Sequence, residues 1–118
     1  MKWINNDKIS EICEYSFDKF YYNEKGEKYF GEMKNGLKDG KGILYYDKND
    51  ERKRKKYEGD FKNDKAEGKG IYYYNNGDRY KGDFTMGKIE GKGIYYYNNG
   101  NKYDGDWKND IKEGREIY

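Results

Sequence analysis

The chain has 118 residues, of which 41% are charged, 33% hydrophobic and 19% aromatic, and it is expected to form one domain. Its 25 basic and 23 acidic side chains leave a net charge of +2, which argues against a specific nucleic-acid partner bound by bulk charge. Because 16 residues are tyrosine and few are aliphatic, any core must be built from aromatic rings.

Residues 1–19 precede the regular part of the sequence and are predicted to form a capping segment. Ile9, Ile12 and Cys13 fall at helical spacing after candidate N-cap residues, so a short helix is expected within 5–18. The alternative is a degenerate strand that runs into the first repeat. Either form would cap the open first edge of a repeat array.

The same segment bears on localisation. The start of the chain has no apolar stretch typical of a signal peptide. The single cysteine, Cys13, cannot form an internal disulfide. We therefore expect a cytoplasmic protein.

From residue 20 onward the sequence repeats. The phrases YEGDFKN, YKGDFTM and YDGDWKN begin 23 residues apart, at Tyr57, Tyr80 and Tyr103, and an earlier copy, YFGEMKN, begins at Tyr29. Each phrase is followed by a polar stretch and then by a pair of glycines one residue apart, although the last pair is incomplete. The chain thus reads as units that start at these tyrosines, with a partial unit at 20–28 before them.

Each unit alternates with a period of two residues, which predicts a β-hairpin. In the second unit, pairing Tyr57 with Tyr72 and Phe61 with Gly68 keeps both faces consistent and leaves a loop of six residues, KNDKAE.

The connection between units offers two possibilities at the sequence NNG, residues 75–77. A two-residue Asn-Gly turn is the strongest short hairpin signal, but it would place the charged face of one strand beside the aromatic face of the next. A three-residue loop, with Gly77 in the left-handed conformation, pairs Tyr72 with Tyr80 instead. We therefore predict the three-residue loop.

The result is a single meandering antiparallel sheet over residues 20–118, crossed by rows of like residues. The predicted rows are tyrosine (Tyr57, Tyr72, Tyr80, Tyr95, Tyr103), glycine (Gly59, Gly70, Gly82, Gly93, Gly105) and alternating aromatic and glycine (Phe61, Gly68, Phe84, Gly91, Trp107). Glycine weakens a strand, so its row predicts that rings lie over bare backbone. The opposite face is expected to pair acid with base inside each hairpin: Glu32 with Lys41, Asp60 with Lys69, Asp83 with Lys92 and Asp106 with Arg115.

This pattern resembles the MORN (membrane occupation and recognition nexus) repeat family over about residues 20–118. The resemblance implies an elongated, twisted antiparallel sheet with one hairpin per repeat and an aromatic-lined groove along one face. Proteins of the family act mainly as scaffolds and interaction modules, often at cytoskeletal structures or membranes, and phospholipid binding has been attributed to them. Met33, at an aromatic position, and Glu116, at a glycine position, depart from the pattern.

The implied groove and the predicted tyrosine row supply the candidate partner-binding residues. Because a single sheet has no second layer, these rings are expected to stay at least half exposed and to bind a helix, an extended peptide or a second copy of the chain. Alanine at Tyr80, Phe84 and Tyr103 is then expected to abolish binding while the fold stays intact. The candidates are Tyr29, Tyr57, Phe61, Tyr72, Tyr80, Phe84, Tyr95, Tyr103 and Trp107.

Five consecutive basic residues, Arg52, Lys53, Arg54, Lys55 and Lys56, lie in an insertion between the first two units. They are consistent with attraction to anionic membrane lipid, with a nuclear-import signal, or with a solvated, enlarged hairpin tip.

Catalysis is not expected. The chain has no histidine, which removes histidine-based triads and most zinc sites, and its carboxylates alternate with lysines on a solvated face. We expect a non-catalytic scaffold without cofactor or metal that binds a partner in its aromatic groove, in a cytoskeletal or axonemal assembly. The alternative is a peripheral membrane module that binds anionic phospholipid through residues 52–56.

Overall fold

The computed structural model describes residues 4–5 and 20–113. Within these residues ten β-strands form one sheet, in which each strand pairs with the next in chain order. All pairs are antiparallel, so the predicted all-β single sheet is confirmed. The strands are β1 Ile4–Asn5, β2 Phe20–Tyr22, β3 Lys28–Lys34, β4 Leu37–Tyr45, β5 Arg54–Lys62, β6 Lys65–Tyr74, β7 Arg79–Thr85, β8 Lys88–Tyr96, β9 Lys102–Lys108 and β10 Ile111–Glu113.

The helix expected within 5–18 falls almost wholly outside the described residues. Asn5 is described, and it pairs with Tyr21 as part of β1.

Two of the predicted rows are confirmed by the register. Tyr57 pairs with Tyr72, Tyr72 with Tyr80, Tyr80 with Tyr95, and Tyr95 with Tyr103. The predicted glycine row crosses the same strands, two residues further along each of them. We call the face that carries the tyrosine row the core face and the opposite one the outer face.

The loop between hairpins is also as predicted. Tyr73 pairs with Arg79, and the Tyr74 amide donates to the Asp78 carbonyl at 2.9 Å, which leaves residues 75–77 as a three-residue loop. Gly77 has φ of +95°, a backbone conformation that L-residues rarely adopt. The three-residue loop that strand alternation predicts is therefore confirmed, and the two-residue Asn-Gly turn does not form.

The loop inside each hairpin is shorter than predicted. Lys62 pairs with Lys65, so Asn63 and Asp64 form a two-residue turn in place of the expected six-residue loop. Their φ values of 48° and 75° are those of a type I′ turn, whose backbone twist matches that of the strands. Asn and Asp adopt this conformation more readily than other side chains. The equivalent turns are Asn35-Gly36, Met86-Gly87 and Asn109-Asp110.

A β-bulge accounts for the difference in register. In β5 the regular pairing breaks between Gly59 and Phe61, and Phe61 pairs with Ala66 rather than with the predicted Gly68. The third predicted row is therefore wrong inside the hairpins, because parity assumes regular strands and a bulge adds residues to one side. The same break lies between Gly31 and Met33 in β3 and between Gly82 and Phe84 in β7, where Phe84 pairs with Ile89 and not with Gly91.

The first tyrosine of each repeat lies over glycine backbone, as predicted. A Cβ added to Gly70 would clash with the hydroxyl and ring of Tyr57. That hydroxyl donates to the carbonyl of Asp60, the residue at the bulge, at 2.7 Å. Burial, and to a smaller extent the Asp60 carboxylate, raise the pKa of Tyr57, so its hydroxyl remains a donor. Equivalent bonds join Tyr29 to Glu32 at 2.6 Å, Tyr80 to Asp83 at 3.0 Å and Tyr103 to Asp106 at 2.9 Å.

The acidic and basic residues of the outer face are arranged differently from the prediction. The Asp60 carboxylate accepts the backbone N–H of Lys69 at 3.4 Å, whereas the Lys69 ammonium pairs with Asp83 of the next hairpin. The ion pairs therefore link neighbouring hairpins and not the two strands of one hairpin. Lys41 with Asp60 and Lys92 with Asp106 form the same link, and Arg115, the expected partner of Asp106, lies outside the described residues.

Three of the four hairpin turns dock on the preceding hairpin: Asn63-Asp64, Met86-Gly87 and Asn109-Asp110. The amide of Asp64 donates to the carbonyl of Lys38 at 2.8 Å, and the amide of Gly87 donates to the carbonyl of Ala66 at 2.9 Å. Acidic side chains of the preceding hairpin bind the other turn amide of each hairpin: Asn63 donates to Asp39 at 3.3 Å, Met86 to Glu67 at 2.9 Å and Asn109 to Glu90 at 3.2 Å.

Docking of the turns is accompanied by strong coiling of the sheet. A flat single sheet would be about 10 Å thick, but the molecule measures 46 × 26 × 25 Å. Both short dimensions exceed that thickness, as expected for a sheet that twists and coils.

We expect Gly70→Ala to lower the free energy of unfolding by about 3 kcal/mol, because the new methyl group meets the Tyr57 ring. Gly100→Ala is the matched control, since φ there is +96° and a Cβ meets nothing within 4 Å, so only backbone strain of about 1 kcal/mol remains. Urea unfolding of both variants measures the difference. Equal losses would contradict a ring packed against bare backbone.

Candidate functional site

The predicted partner-binding rings form the hydrophobic core. Tyr29, Tyr57 and Tyr80 are 0% exposed, so the expectation that the aromatic row stays at least half exposed is wrong for most of its members. We attribute the burial of these rings to the coiling of the sheet and the docking of its turns. The alternation of residues along a strand does not reveal either feature. Phe61, Tyr72, Phe84, Tyr103 and Trp107 are buried as well, whereas Tyr95 is partly exposed.

These rings pack edge to face. The Phe84 ring lies 5.0 Å from Tyr57, 4.8 Å from Tyr72 and 5.3 Å from Tyr80, each at 85–88° between ring planes. Such pairs are worth about 0.5–1.5 kcal/mol beyond their burial. Alanine at Tyr80, Phe84 or Tyr103 would remove a core ring at a cost of about 3–5 kcal/mol. These variants would therefore not leave the fold intact, contrary to the expectation from sequence.

The core face has an opening lined by aromatic rings. We call this opening, a cavity of about 430 Å³, the aromatic cleft. Three of the lining rings are in contact: the Tyr95 ring centroid lies 5.6 Å from that of Tyr74 and 5.9 Å from that of Trp107. A neighbouring cavity of about 540 Å³ shares Tyr74 and Tyr95 and extends the opening to the loop at Asn75. The lining residues of the cleft are Arg52, Tyr72, Tyr74, Ile89, Tyr95, Trp107, Asn109 and Asp110.

An ion pair spans the cleft. The Arg52 guanidinium donates to the Asp110 carboxylate at 3.0 Å, which joins the insertion before β5 to the last hairpin turn. The Arg52 side chain is 53% exposed, and pairs of this kind are worth about 0–1 kcal/mol. The other Asp110 carboxylate oxygen accepts the Ile89 amide at 2.8 Å, so the acid is held in place when the pair opens.

Tyr95 is held by a hydrogen bond at its hydroxyl. It donates to the Asp78 carboxylate at 2.8 Å, and that carboxylate also accepts the Asn98 amide at 2.8 Å. Burial first, and then the bond to Asp78, raise the pKa of Tyr95, so the phenol stays neutral. The ring is therefore fixed in position before any partner arrives.

The five basic residues of the insertion do not form one patch. Arg54 turns towards the core face: its guanidinium binds the Asp50 carboxylate at 3.0 and 2.9 Å and lies 4.0 Å from the centroid of the Tyr46 ring. Lys56 lies on the outer face, where its ammonium pairs with Glu58 at 3.1 Å. With Arg52 bound to Asp110, the two remaining lysines of the run are exposed, Lys53 and Lys55.

Sequence reasoning missed a second surface, on the outer face. One row there alternates tyrosine with a basic residue across β3 to β9. The Lys56 ammonium lies 4.8 Å from the Tyr73 ring centroid, and the Arg79 guanidinium lies 4.3 Å from that of Tyr96. The available signal was the period-two alternation, because Tyr72 and Tyr95 in the predicted tyrosine row put Tyr73 and Tyr96 on the opposite face. The full row is Lys28, Tyr45, Lys56, Tyr73, Arg79, Tyr96 and Lys102.

Beside this row runs an open depression of about 700 Å³, which we call the outer groove. Its floor combines glycine backbone with the half-buried side chains of Ile71 and Ile94, and lysines rise around it. The lining residues are Glu58, Gly59, Lys69, Gly70, Ile71, Lys81, Gly82, Lys92, Gly93, Ile94, Tyr96 and Asp104.

The described residues contain neither a candidate membrane-spanning helix nor a candidate metal-binding group. No helix within residues 4–5 and 20–113 has the length and hydropathy needed to cross a bilayer. Over the same ranges, no three His, Cys, Asp or Glu side chains are grouped so that they could hold a metal ion.

The fold and the repeated tyrosine, glycine and bulge contacts define a β-hairpin repeat protein. A family model of the MORN repeat matches residues 29–51, 57–79, 80–102 and 103–115. These matches cover more than half of the chain, which therefore belongs to the MORN repeat family. No individual curated protein matched the sequence.

We expect Arg54→Ala to lower the free energy of unfolding by about 2 kcal/mol, because it removes charged hydrogen bonds to Asp50 and stacking on Tyr46. Lys55→Ala, one residue further along the same basic run, is exposed and should change stability by about 0.5 kcal/mol or less. Chemical denaturation of both variants provides the comparison. If residues 52–56 formed only a solvated hairpin tip, Arg54→Ala and Lys55→Ala would change the free energy of unfolding by the same small amount.

The ion pair at Asp50 predicts a pH dependence. Burial raises the pKa of Asp50, but hydrogen bonds from Arg54 outweigh it and hold the pKa below its ordinary value of 3.8. A lowered pKa contributes stability above the unfolded value, and that contribution is lost as the pH falls through the folded value.

The stability deficit of Asp50→Asn should therefore be constant from neutral pH down to about 5 and shrink below 3.8. Urea unfolding of the wild type and this variant across that range measures the deficit. A deficit that persists at the lowest pH would show that Asp50 acts through its shape and not through its charge.

Proposed function

We propose that this chain is a non-catalytic MORN-repeat scaffold that binds a helix or extended peptide of a protein partner at the aromatic cleft. The observation that carries the proposal is the opening of the core face at Tyr74 and Tyr95, where partly buried rings line a cavity of about 430 Å³. Open aromatic space of this kind on a folded protein commonly marks an interaction site.

The chemistry of the cleft suits a large apolar side chain framed by polar contacts. Tyr74, Tyr95 and Trp107 supply aromatic surface, while Arg52 and Asp110 at the rim supply a donor and an acceptor. Tyrosine, tryptophan and arginine are the residues that most often dominate binding energy at interfaces. Because the ion pair at the rim is weak, a partner can displace it at little cost.

This proposal narrows the groove that the sequence suggested. Tyr72, Tyr95 and Trp107 of the nine candidate residues line the cleft. The remaining candidates are assigned to the core that positions the cleft, because their rings are buried.

The absence of an enzymatic role is part of the proposal. The chain has no histidine, and several outer-face carboxylates, such as Asp83, are engaged by lysine side chains and backbone amides. The setting that we propose is a cytoskeletal or axonemal assembly in the cytoplasm, and it rests on the family resemblance alone.

The test is photo-crosslinking with benzoylphenylalanine placed at Tyr74, inside the cleft, in extracts of the native source. The matched control carries the same group at Leu37, which is 40% exposed at the start of β4 and outside the cleft. We expect a discrete protein adduct from position 74 only, and we expect Tyr95→Ala in the same chain to abolish it because the cleft loses a lining ring that contacts Tyr74 and Trp107. Mass spectrometry identifies the adduct, and thermal unfolding checks that each variant is folded.

Adducts of equal yield from both positions, or none from position 74, would argue against the cleft. Co-sedimentation with phosphatidylserine vesicles covers the membrane alternative. Binding that is lost when Lys53 and Lys55 are replaced by glutamine, with no adduct at position 74, would favour a peripheral membrane module instead.

A further inference from the structure

The outer groove lies on the face of the sheet opposite the aromatic cleft, so it is a second surface that the proposed function does not use. It extends from Glu58 on β5 to Asp104 on β9. Four interstrand spacings separate these strands, which gives a length of about 19 Å. A ligand of this length would contact several repeats at once.

The groove has an apolar floor. Ile71 and Ile94 both line it, and Lys81, on the strand between them, pairs with each. Glycine backbone at Gly70 and Gly93 continues the floor without any side chain to fill it. An occupant therefore needs apolar groups that reach these two isoleucines.

The charges around the groove favour an acidic occupant. Within residues 4–5 and 20–113, the exposed cations Arg79, Lys81 and Lys102 form no ion pair. The acids here are mostly engaged, as Asp83 is by Lys69.

Glu58 is likewise bound to Lys56. Asp104, exposed opposite Ile94, partly offsets the positive charge at one end of the groove.

The spacing of these residues selects the shape of the occupant. Arg79 and Lys102 flank Tyr96 in one row and so lie two strands apart, as Ile71 and Ile94 do in the next row. Two strands correspond to about 9.6 Å. A helix advances about 10.5 Å in seven residues, whereas a strand shows the same face every 6.6–6.8 Å or so.

We propose that the outer groove binds an acidic amphipathic helix of a protein partner. Carboxylates seven residues apart meet Arg79 and Lys102, and apolar side chains seven residues apart pack on Ile71 and Ile94. A single-stranded nucleic acid fits less well, because base stacking needs open ring faces and cations already lie over the rings of Tyr73 and Tyr96.

The test uses the full chain and a labelled helical peptide of three heptads, with glutamate at one heptad position and leucine at the neighbouring apolar ones. Fluorescence anisotropy measures its affinity for the wild type, for the groove variant Arg79→Glu/Lys102→Glu and for the control Lys62→Glu/Lys88→Glu. The control lysines are also exposed, but they neither line the groove nor belong to the row that holds Arg79 and Lys102.

We expect the groove variant to weaken binding about tenfold or more and the control to change it less than about twofold, since rim charges act locally. Replacing the peptide's glutamates by lysine should abolish binding.

Several results would overturn the proposal. They are the absence of peptide binding up to about 1 mM, equal affinity for the acidic and lysine-substituted peptides, or equal loss in both protein variants. Groove-dependent binding of an oligothymidylate or of phosphatidylserine vesicles, without peptide binding, would overturn it in favour of those ligands. The groove variant should still give the crosslink at position 74, so this proposal and the proposed function can fail separately.

Discussion

The fold depends on one interaction that recurs in the units beginning at Tyr29, Tyr57 and Tyr80: a tyrosine ring laid over glycine backbone, with its hydroxyl bonded to a carbonyl at a β-bulge. Tyr57 shows how the parts need one another. Its ring fits because Gly70 has no side chain, and its hydroxyl reaches the carbonyl of Asp60 at 2.7 Å because the bulge disrupts the ladder there. A buried carbonyl without a partner is costly, so the tyrosine stabilises the bulge while the bulge positions the tyrosine.

The bulge and the short turns together let a single sheet enclose a core. The turn at Asn63-Asp64 is short enough to dock on the preceding hairpin, and its amides bond to Asp39 and Lys38. Repetition of this contact accompanies the coiling that buries the rings. The two surfaces that we propose for binding lie outside this core, at the opening beside Tyr95 on the core face and beside the tyrosine–cation row on the outer face.

The strand pairings predicted from residue alternation are correct where the strands are regular and wrong where a bulge interrupts them. Alternation gave the correct pairing of Tyr72 with Tyr80, because a wrong loop length would have put charged and aromatic faces together. Inside the hairpin it failed at Phe61, which pairs with Ala66. A bulge changes the register without changing which residues are apolar, so composition and alternation carry little information about it.

The sequence by itself determined the sheet, the repeat and the rows of tyrosine and glycine, because period-two alternation and residue size act locally and recur in phase. Only the tertiary structure decided which rings are core and which are accessible, because burial here depends on how the rings of successive hairpins pack on one another. The basic residues 52–56 show the same division. Their charge is evident from the sequence, but their different environments are not. Arg54 stacks on Tyr46 and binds Asp50, while Lys55 is exposed, because the coiling brings the insertion back onto the sheet.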